Sequence, residues 1–246
     1  MIELDIEGLA ARLSLNGVTV FRSDGGRSVR QNRRLNGWAR RDRNVIEVDL
    51  GRPGPPSAPA SLAINVRIVM PGEDPLEPVP ITAFRWNAAE QPLTAAMQRV
   101  FEAPLVYSAP TDWSWTAAPG SEPNGSDRVE IDQVVQRLRR VLLERQAEEA
   151  IKLQAVQLEE MAAAVGDDVA AYQAQYRTWL AGFFADETYS VAPYATDNLV
   201  LEVMAGGRIV RATQRGGVAV RARTTDRAMA IDPYLSKIGG VWTIVR

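Results

Sequence analysis

The chain has 246 residues, 46% of them hydrophobic, and a formal net charge of −2. That length suits one large or two ordinary domains with a sizeable core, and so small a net charge argues against chain-wide binding of polyanions. Cysteine and histidine are both absent, which excludes disulfides, thiolate nucleophiles, Cys- and His-type metal sites and every Ser-His or Cys-His scheme.

Carboxylate, tyrosine and lysine chemistry stay open, and no cofactor is implied. Only Lys152 and Lys237 are lysine among the basic residues; with many Ala and Val this points to a GC-rich, bacterial genome. The start, MIELDIEGLAARL, has no basic region followed by an apolar one, so no signal peptide is read. No apolar run reaches about 18 residues, so no membrane span is read. The expectation is a cytoplasmic protein, or a periplasmic one where a leader has been removed.

Residues 1–115 read as strands and loops. Ala11 to Phe21 holds two short alternating runs around Asn16-Gly17, the dipeptide that best tolerates the positive φ of a hairpin turn. Asn36-Gly37 gives a second turn. After it, Val45, Glu47 and Asp49 alternate with Ile46, Val48 and Leu50, the period-two mark of a strand with one buried face. Gly51 to Pro59 cannot continue a ladder. Ser61 to Met70 is the next strand, and Ile81 to Trp86 resumes after a Pro-rich break. Short strands punctuated by Gly and Pro predict an antiparallel sandwich.

Residues 116–126 read as a Pro/Gly linker. Asp127 then opens a helix, with Glu130 completing a capping box. Ile131, Val134, Val135, Leu138, Val141 and Leu142 form one stripe at helical period. From Leu143 the stripe slips by one residue, which predicts a bend in a long helix or two consecutive helices. Gly166 stops it. Asp167 or Asp168 caps a second helix carrying Tyr172, Tyr176, Trp179, Leu180, Phe183 and Phe184. Strands then read at 199–204, 208–214, 218–224, 228–231 and 241–245. The expected fold is two domains: an all-β sandwich of jelly-roll type over 1–115, then over 127–246 a long helix and an α+β antiparallel-sheet domain.

Leu15-Asn16-Gly17, Asn36-Gly37-Trp38 and Asn44-Val45-Ile46-Glu47-Val48 resemble the turn and strand pattern of galactose-binding-like jelly-roll modules. Arg40-Arg41-Asp42-Arg43 stands where that family commonly has a Gly-containing turn. The resemblance implies a module that binds sugars or braces a neighbouring domain. The C-terminal run from Lys237 to Arg246, with Gly239-Gly240, Trp242 and an alternating Ile244-Val245, resembles the last strand of the nuclear transport factor two-like, cystatin-like cone. That family includes small-molecule enzymes and catalytically silent binding domains, and none of its catalytic positions is identifiable here.

Four groups of residues are candidate sites. Between Arg22 and Arg43 stand eight arginines against two aspartates, net +6. Arg33, Arg34, Arg40 and Arg41 are the core of a possible anion site. A solvated, solubilising loop, or salt bridges to the acidic helix, is the favoured alternative, and a single interleaved aromatic, Trp38, argues against nucleic acid. Trp38, Trp113 and Trp115 could stack on a sugar, with Trp113 and Trp115 on one side of an extended segment; core packing is the favoured alternative. Arg221 and Arg223 share a strand face that Arg211 could join from a neighbouring strand, lining an anion pocket if that face is enclosed. Asp167-Asp168 and Asp186-Glu187 fit helix-end roles better than acid–base or metal roles.

The expectation is a non-catalytic ligand-binding or assembly protein with the sandwich as recognition module. Its partner would be a small molecule or sugar, or a second copy paired through the long helix, where Arg137, Arg139 and Arg140 precede Glu144, Glu148, Glu149, Glu159 and Glu160. The alternatives are a hydrolase or isomerase using Asp, Glu or Tyr in the C-terminal cone, and polyanion binding through Arg22–Arg43. No membrane partner is expected.

Overall fold

The computed structural model describes residues 2–25, 27–33, 35–41, 43–53, 60–68, 79–92, 97–103 and 112–246. The chain divides into two compact units, Met1–Ala109 and Pro110–Arg246. The boundary therefore precedes the one read from sequence, and Trp113 and Trp115 belong to the second unit.

The first unit is β-rich, as its alternating pattern predicts. Its strands are β1 (Ile2–Glu7), β2 (Leu9–Leu15), β3 (Val18–Asp24), β4 (Val29–Arg33), β5 (Asn44–Pro53), β6 (Ser61–Ile68), β7 (Val79–Asn87) and β8 (Met97–Ala103). They form two antiparallel sheets, ordered β4-β1-β6-β7 and β3-β2-β5-β8. Ile2, Leu4 and Ile6 are buried while Asp5 and Glu7 are exposed, because successive side chains point to opposite faces. Leu13, Leu15, Ile46, Val48 and Leu50 from one sheet share a core with Leu62, Ile64 and Trp86 from the other.

The arginine-bearing loop ends in this sheet for a local reason. Asn16 (φ 53) and Gly17 (φ 78) make the two-residue β2–β3 turn. The Asn16 side chain donates to Trp38 O and Asn44 Oδ1, both at 2.8 Å, and its Oδ1 accepts from Val45 N at 3.0 Å. Asn44, 2% exposed, accepts from Arg40 N at 2.7 Å and donates to Arg40 O at 2.9 Å. Two asparagines thus satisfy main-chain groups of Trp38, Arg40 and Val45, which burial could not leave unpaired.

The second unit starts with helices α1 (Gly125–Leu143), α2 (Ala147–Leu153), α3 (Ala155–Val165) and α4 (Val169–Phe184). Strands follow: β9 (Ser190–Val191), β10 (Leu199–Met204), β11 (Ile209–Gln214), β12 (Gly217–Val218), β13 (Val220–Arg223), β14 (Ala228–Ile231), β15 (Tyr234–Ile238) and β16 (Val241–Ile244). One sheet runs β10-β11-β15-β16 with β12 beside β11, and a smaller one runs β14-β13-β9. The buried face of α1 (Ile131, Val135, Leu138, Leu142) shares a core with Val210, Ala212, Leu235, Trp242 and Ile244. No described helix is long and apolar enough to cross a membrane.

Three sequence expectations change here. Asn124 is the N-cap of α1, and Asp127 is its N3 residue: Asn124 Oδ1 accepts from Ser126 N and Asp127 N, and Asp127 Oδ2 accepts from Asn124 N. Asn is among the best N-caps, and Asp three residues on completes the reciprocal pair. The long helix is cut at Arg145, whose φ of 58 no α-helix accepts. Its guanidinium instead donates to Phe184 O at 2.6 Å and lies over the Tyr189 ring. A second cut falls at Gln154, buried and donating to Ala150 O and Tyr176 Oη. The one-residue slip at Leu143 is the trace of this turn back toward α4.

The Pro/Gly stretch 116–126 is a packed strap. Ser114 N donates to Glu160 Oε1 at 2.6 Å, Arg246 pairs with the same carboxylate, and its guanidinium lies 5.0 Å from the Trp113 ring centre. A Cβ on Gly120 would stand 2.5 Å from Gly206 O. Only glycine permits that approach of two backbones.

Candidate binding groove

The groove lies between α1, α2 and β16, with a volume of about 500 Å³. Its floor is apolar: Val134 from α1, Leu153 from α2, and Trp242 and Ile244 from β16. Its rim carries Glu130, Arg137, Glu149 and Lys152. Lys152 and Glu149 pair at 2.7 Å. Glu130 and Arg137 lie beyond hydrogen-bond distance of opposite charges, but Glu130 adds to the field of Lys237 and Arg137 to that of Glu149.

The Trp242 indole is fixed from below. Its Nε1 donates to Asp127 Oδ1 at 2.9 Å, and Lys237 Nζ donates to the same oxygen at 2.7 Å. The Lys237 hydrogen bond, then those from Asn124 N and Trp242, hold the Asp127 carboxyl down at about 2. One carboxylate thus serves as helix cap and as anchor for the β15–β16 hairpin.

β16 is an edge strand among the described residues. Gly239 (φ 56) and Gly240 (φ 85) make the tight turn before it, and Ile238 pairs with Val241. In such a hairpin the pair flanking the turn exchanges hydrogen bonds and the next pair does not. Val241 and Thr243 therefore bond to β15, while the N–H and C=O of Trp242 and Ile244 point away from it; both residues are buried, at 6% and 1% exposed.

The residues singled out from sequence do not converge on this groove. Trp38 is half-buried against the sandwich core. Trp113 and Trp115, at 1% and 2% exposed, flank the start of a 3₁₀ turn over Ser114–Ala117 and are not on an extended segment. Arg41 is exposed and Arg40 half-buried. Arg33 lies at the end of β4 with its side chain outside the described residues, and Arg34 lies outside them entirely.

Arg211 does not join Arg221 and Arg223. It sits in the larger sheet, paired with Asp232 at 2.6 Å and Glu202 at 3.5 Å. Asp232 also accepts from Ala219 N at 2.8 Å, so the guanidinium closes an internal network. Arg221 and Arg223 lie exposed on β13 of the smaller sheet, opposite the buried Val220 and Ala222. The α4 aromatics are self-packed: Tyr176 stacks on Trp179 at 5.6 Å, and Trp179 meets Phe183 edge-on at 5.0 Å. Asp168 caps α4 through Ala171 N at 2.9 Å.

A carboxylate–phenol pair missed in the sequence lies on α1. Asp132 Oδ1 accepts from Tyr194 Oη, and its Oδ2 accepts from Gln136 at 2.6 Å and Thr196 at 3.3 Å. Burial, then the bond to Asp132, raises the Tyr194 phenol, which stays a donor. The pair ties the 194–196 segment to α1. Nothing in the spacing of positions 132 and 194 foretells it. The groove had a faint signal: the stripe slip at Leu143 and the Gly-Gly hairpin.

No protein-family profile matches this chain, and no curated protein and no solved structure shows significant similarity to it.

Proposed function

We propose that this chain is a non-catalytic binding or assembly protein whose second unit takes its ligand in the groove of α1, α2 and β16. The first unit acts as a recognition module of jelly-roll type. The carrying observation is the groove itself: an apolar floor beneath a rim of two acids and two bases. Pockets with apolar linings and a few placed polar groups are the usual ligand sites. The tyrosine and carboxylate best placed for acid–base work, Tyr194 and Asp132, are committed to each other and to Thr196. That supports binding over turnover.

The test is a fragment and peptide screen on the ¹⁵N-labelled full chain. The reading expects binders that shift the Trp242 indole signal and lose at least about tenfold in affinity on Leu153→Arg, about 1.4 kcal/mol. Binders that act only on the sandwich, or none at all, would reject the groove.

A further inference from the structure

We propose that Asn124 is a site of spontaneous covalent modification. Its side chain cyclises onto Gly125, the ring reopens as aspartate or isoaspartate, and the isoaspartate form loosens the floor of the groove. The inference does not depend on what the groove binds.

The sequence holds three Asn-Gly pairs, at 16–17, 36–37 and 124–125. In such a pair the main-chain nitrogen of glycine can reach the preceding side-chain amide carbon, because no Cβ stands in the way. The fold treats the three pairs differently. Asn16 is held at both ends of its amide: Nδ2 donates to Trp38 O and Asn44 Oδ1, and Oδ1 accepts from Val45 N. Its amide carbon cannot turn without breaking these bonds. Asn36 and Gly37 are half-buried in the 3₁₀ turn Asn36–Trp38. Asn124 and Gly125 are both exposed, and a Cβ on Gly125 would meet nothing within 4 Å.

The bonding at Asn124 favours attack. Its Oδ1 accepts from Ser126 N at 2.8 Å, Ser126 Oγ at 2.7 Å and Asp127 N at 3.1 Å. These donors draw charge from Cγ and stabilise the oxyanion that attack creates. The Gly125 N–H is the first of α1 and has no carbonyl of its own helix to bond.

The step balances without an added reagent other than water. Gly125 N gives its proton to solvent and bonds to Asn124 Cγ, the Cγ–Nδ2 bond breaks, and ammonia leaves. Water then opens the cyclic imide. Opening at Cγ gives aspartate; opening at the main-chain carbonyl gives isoaspartate, with one more atom in the main chain.

The two products act differently. Aspartate caps a helix as well as asparagine does. Isoaspartate carries the main chain through Cγ, so the acceptor for Ser126 N and Asp127 N is lost. The extra atom also shifts Asn124 N, which donates to Asp127 Oδ2 at 3.0 Å. Asp127 is the carboxylate that holds the Trp242 indole, so the change reaches the groove floor.

The experiment ages the full chain at neutral pH and follows each Asn-Gly pair by peptide mapping with an isoaspartate-specific methyltransferase. Conversion at Asn124 should run at least about tenfold faster than at Asn16 or Asn36, a gap that urea abolishes. Gly125→Ala, which fits the open space, should slow it by at least about tenfold. Aged protein should show a second Trp242 indole signal in proportion to isoaspartate, while Asn124→Asp keeps the parent signal. Equal rates at the three pairs in the folded chain, a gap that survives in urea, or an unchanged rate in Gly125→Ala would overturn the site. Isoaspartate at position 124 with the Trp242 signal unmoved, or a signal that Asn124→Asp moves as far, would overturn its link to the groove.

Discussion

Trp242 and Asp127 are separated by 115 positions and joined by a 2.9 Å hydrogen bond from the indole to the carboxylate. Through it, the first turn of α1 and the last hairpin of the sheet become one structural piece. The floor of the groove is set by that piece.

The bond predicts a pH dependence. Asp127 titrates near 2 in the folded chain against 3.8 ordinarily. A lowered carboxyl stabilises above the unfolded value, and the gain is lost as pH falls from about 4 through about 2. The increment is on the order of 2 kcal/mol at neutral pH. Asp127→Asn should lower the stability of the second unit at pH 7 by a similar amount and flatten its acid limb. Urea unfolding at pH 7 and pH 3, followed by Trp fluorescence, checks this; equal losses at both pH values would contradict it.

Glu160 and Arg246 form a buried pair under Trp113. Removing one partner strands the other, at a cost of about 3–5 kcal/mol. Glu160→Gln should therefore destabilise the second unit strongly, and Trp113→Ala by about 3–5 kcal/mol. Thermal unfolding monitored calorimetrically would show both. A Trp113→Ala chain with unchanged melting would restore the idea that this indole serves a ligand.

In the first unit, Asn44→Ala removes the bonds to Arg40 and Asn16 together. The expected loss is about 2–3 kcal/mol, from buried main-chain groups left unpaired. Arg41→Ser, at an exposed position, should leave stability within about 0.5 kcal/mol of the parent. Denaturant melts of the two variants decide it.

The arginines that sequence grouped together should behave differently. Arg211→Met leaves Asp232 without its guanidinium and should cost about 1–3 kcal/mol. Arg221→Ala and Arg223→Ala, on an exposed strand face, should not change the melting midpoint. Equal effects at all three positions would contradict the separation of the two sheets.

Strand and helix periods were legible in the sequence because each element buries one face. Ile2, Leu4 and Ile6, or Ile131, Val135 and Leu138, announce their partners' side without naming the partner. Asn16-Gly17 announced its turn for the same local reason. What could not be read was contact across long separations. Asp127 looked like a cap alone until Lys237 and Trp242 arrived beside it. Prolines and glycines at 116–126 looked like a linker because close backbone packing and flexibility recruit the same residues. Arg145 carries no mark of its positive φ, so the long helix looked continuous apart from the slip. Of the groove only the stripe slip at Leu143 and the Gly-Gly hairpin were legible, because its walls come from α1, α2 and β16, and no short motif spans them.

Ligand titration of the ¹⁵N-labelled full chain tests the central claim most directly. The account predicts binders that shift the Trp242 indole signal and lose at least about tenfold in affinity on Leu153→Arg. Binders that leave that signal unmoved, or that bind Leu153→Arg as tightly as the parent, would contradict it.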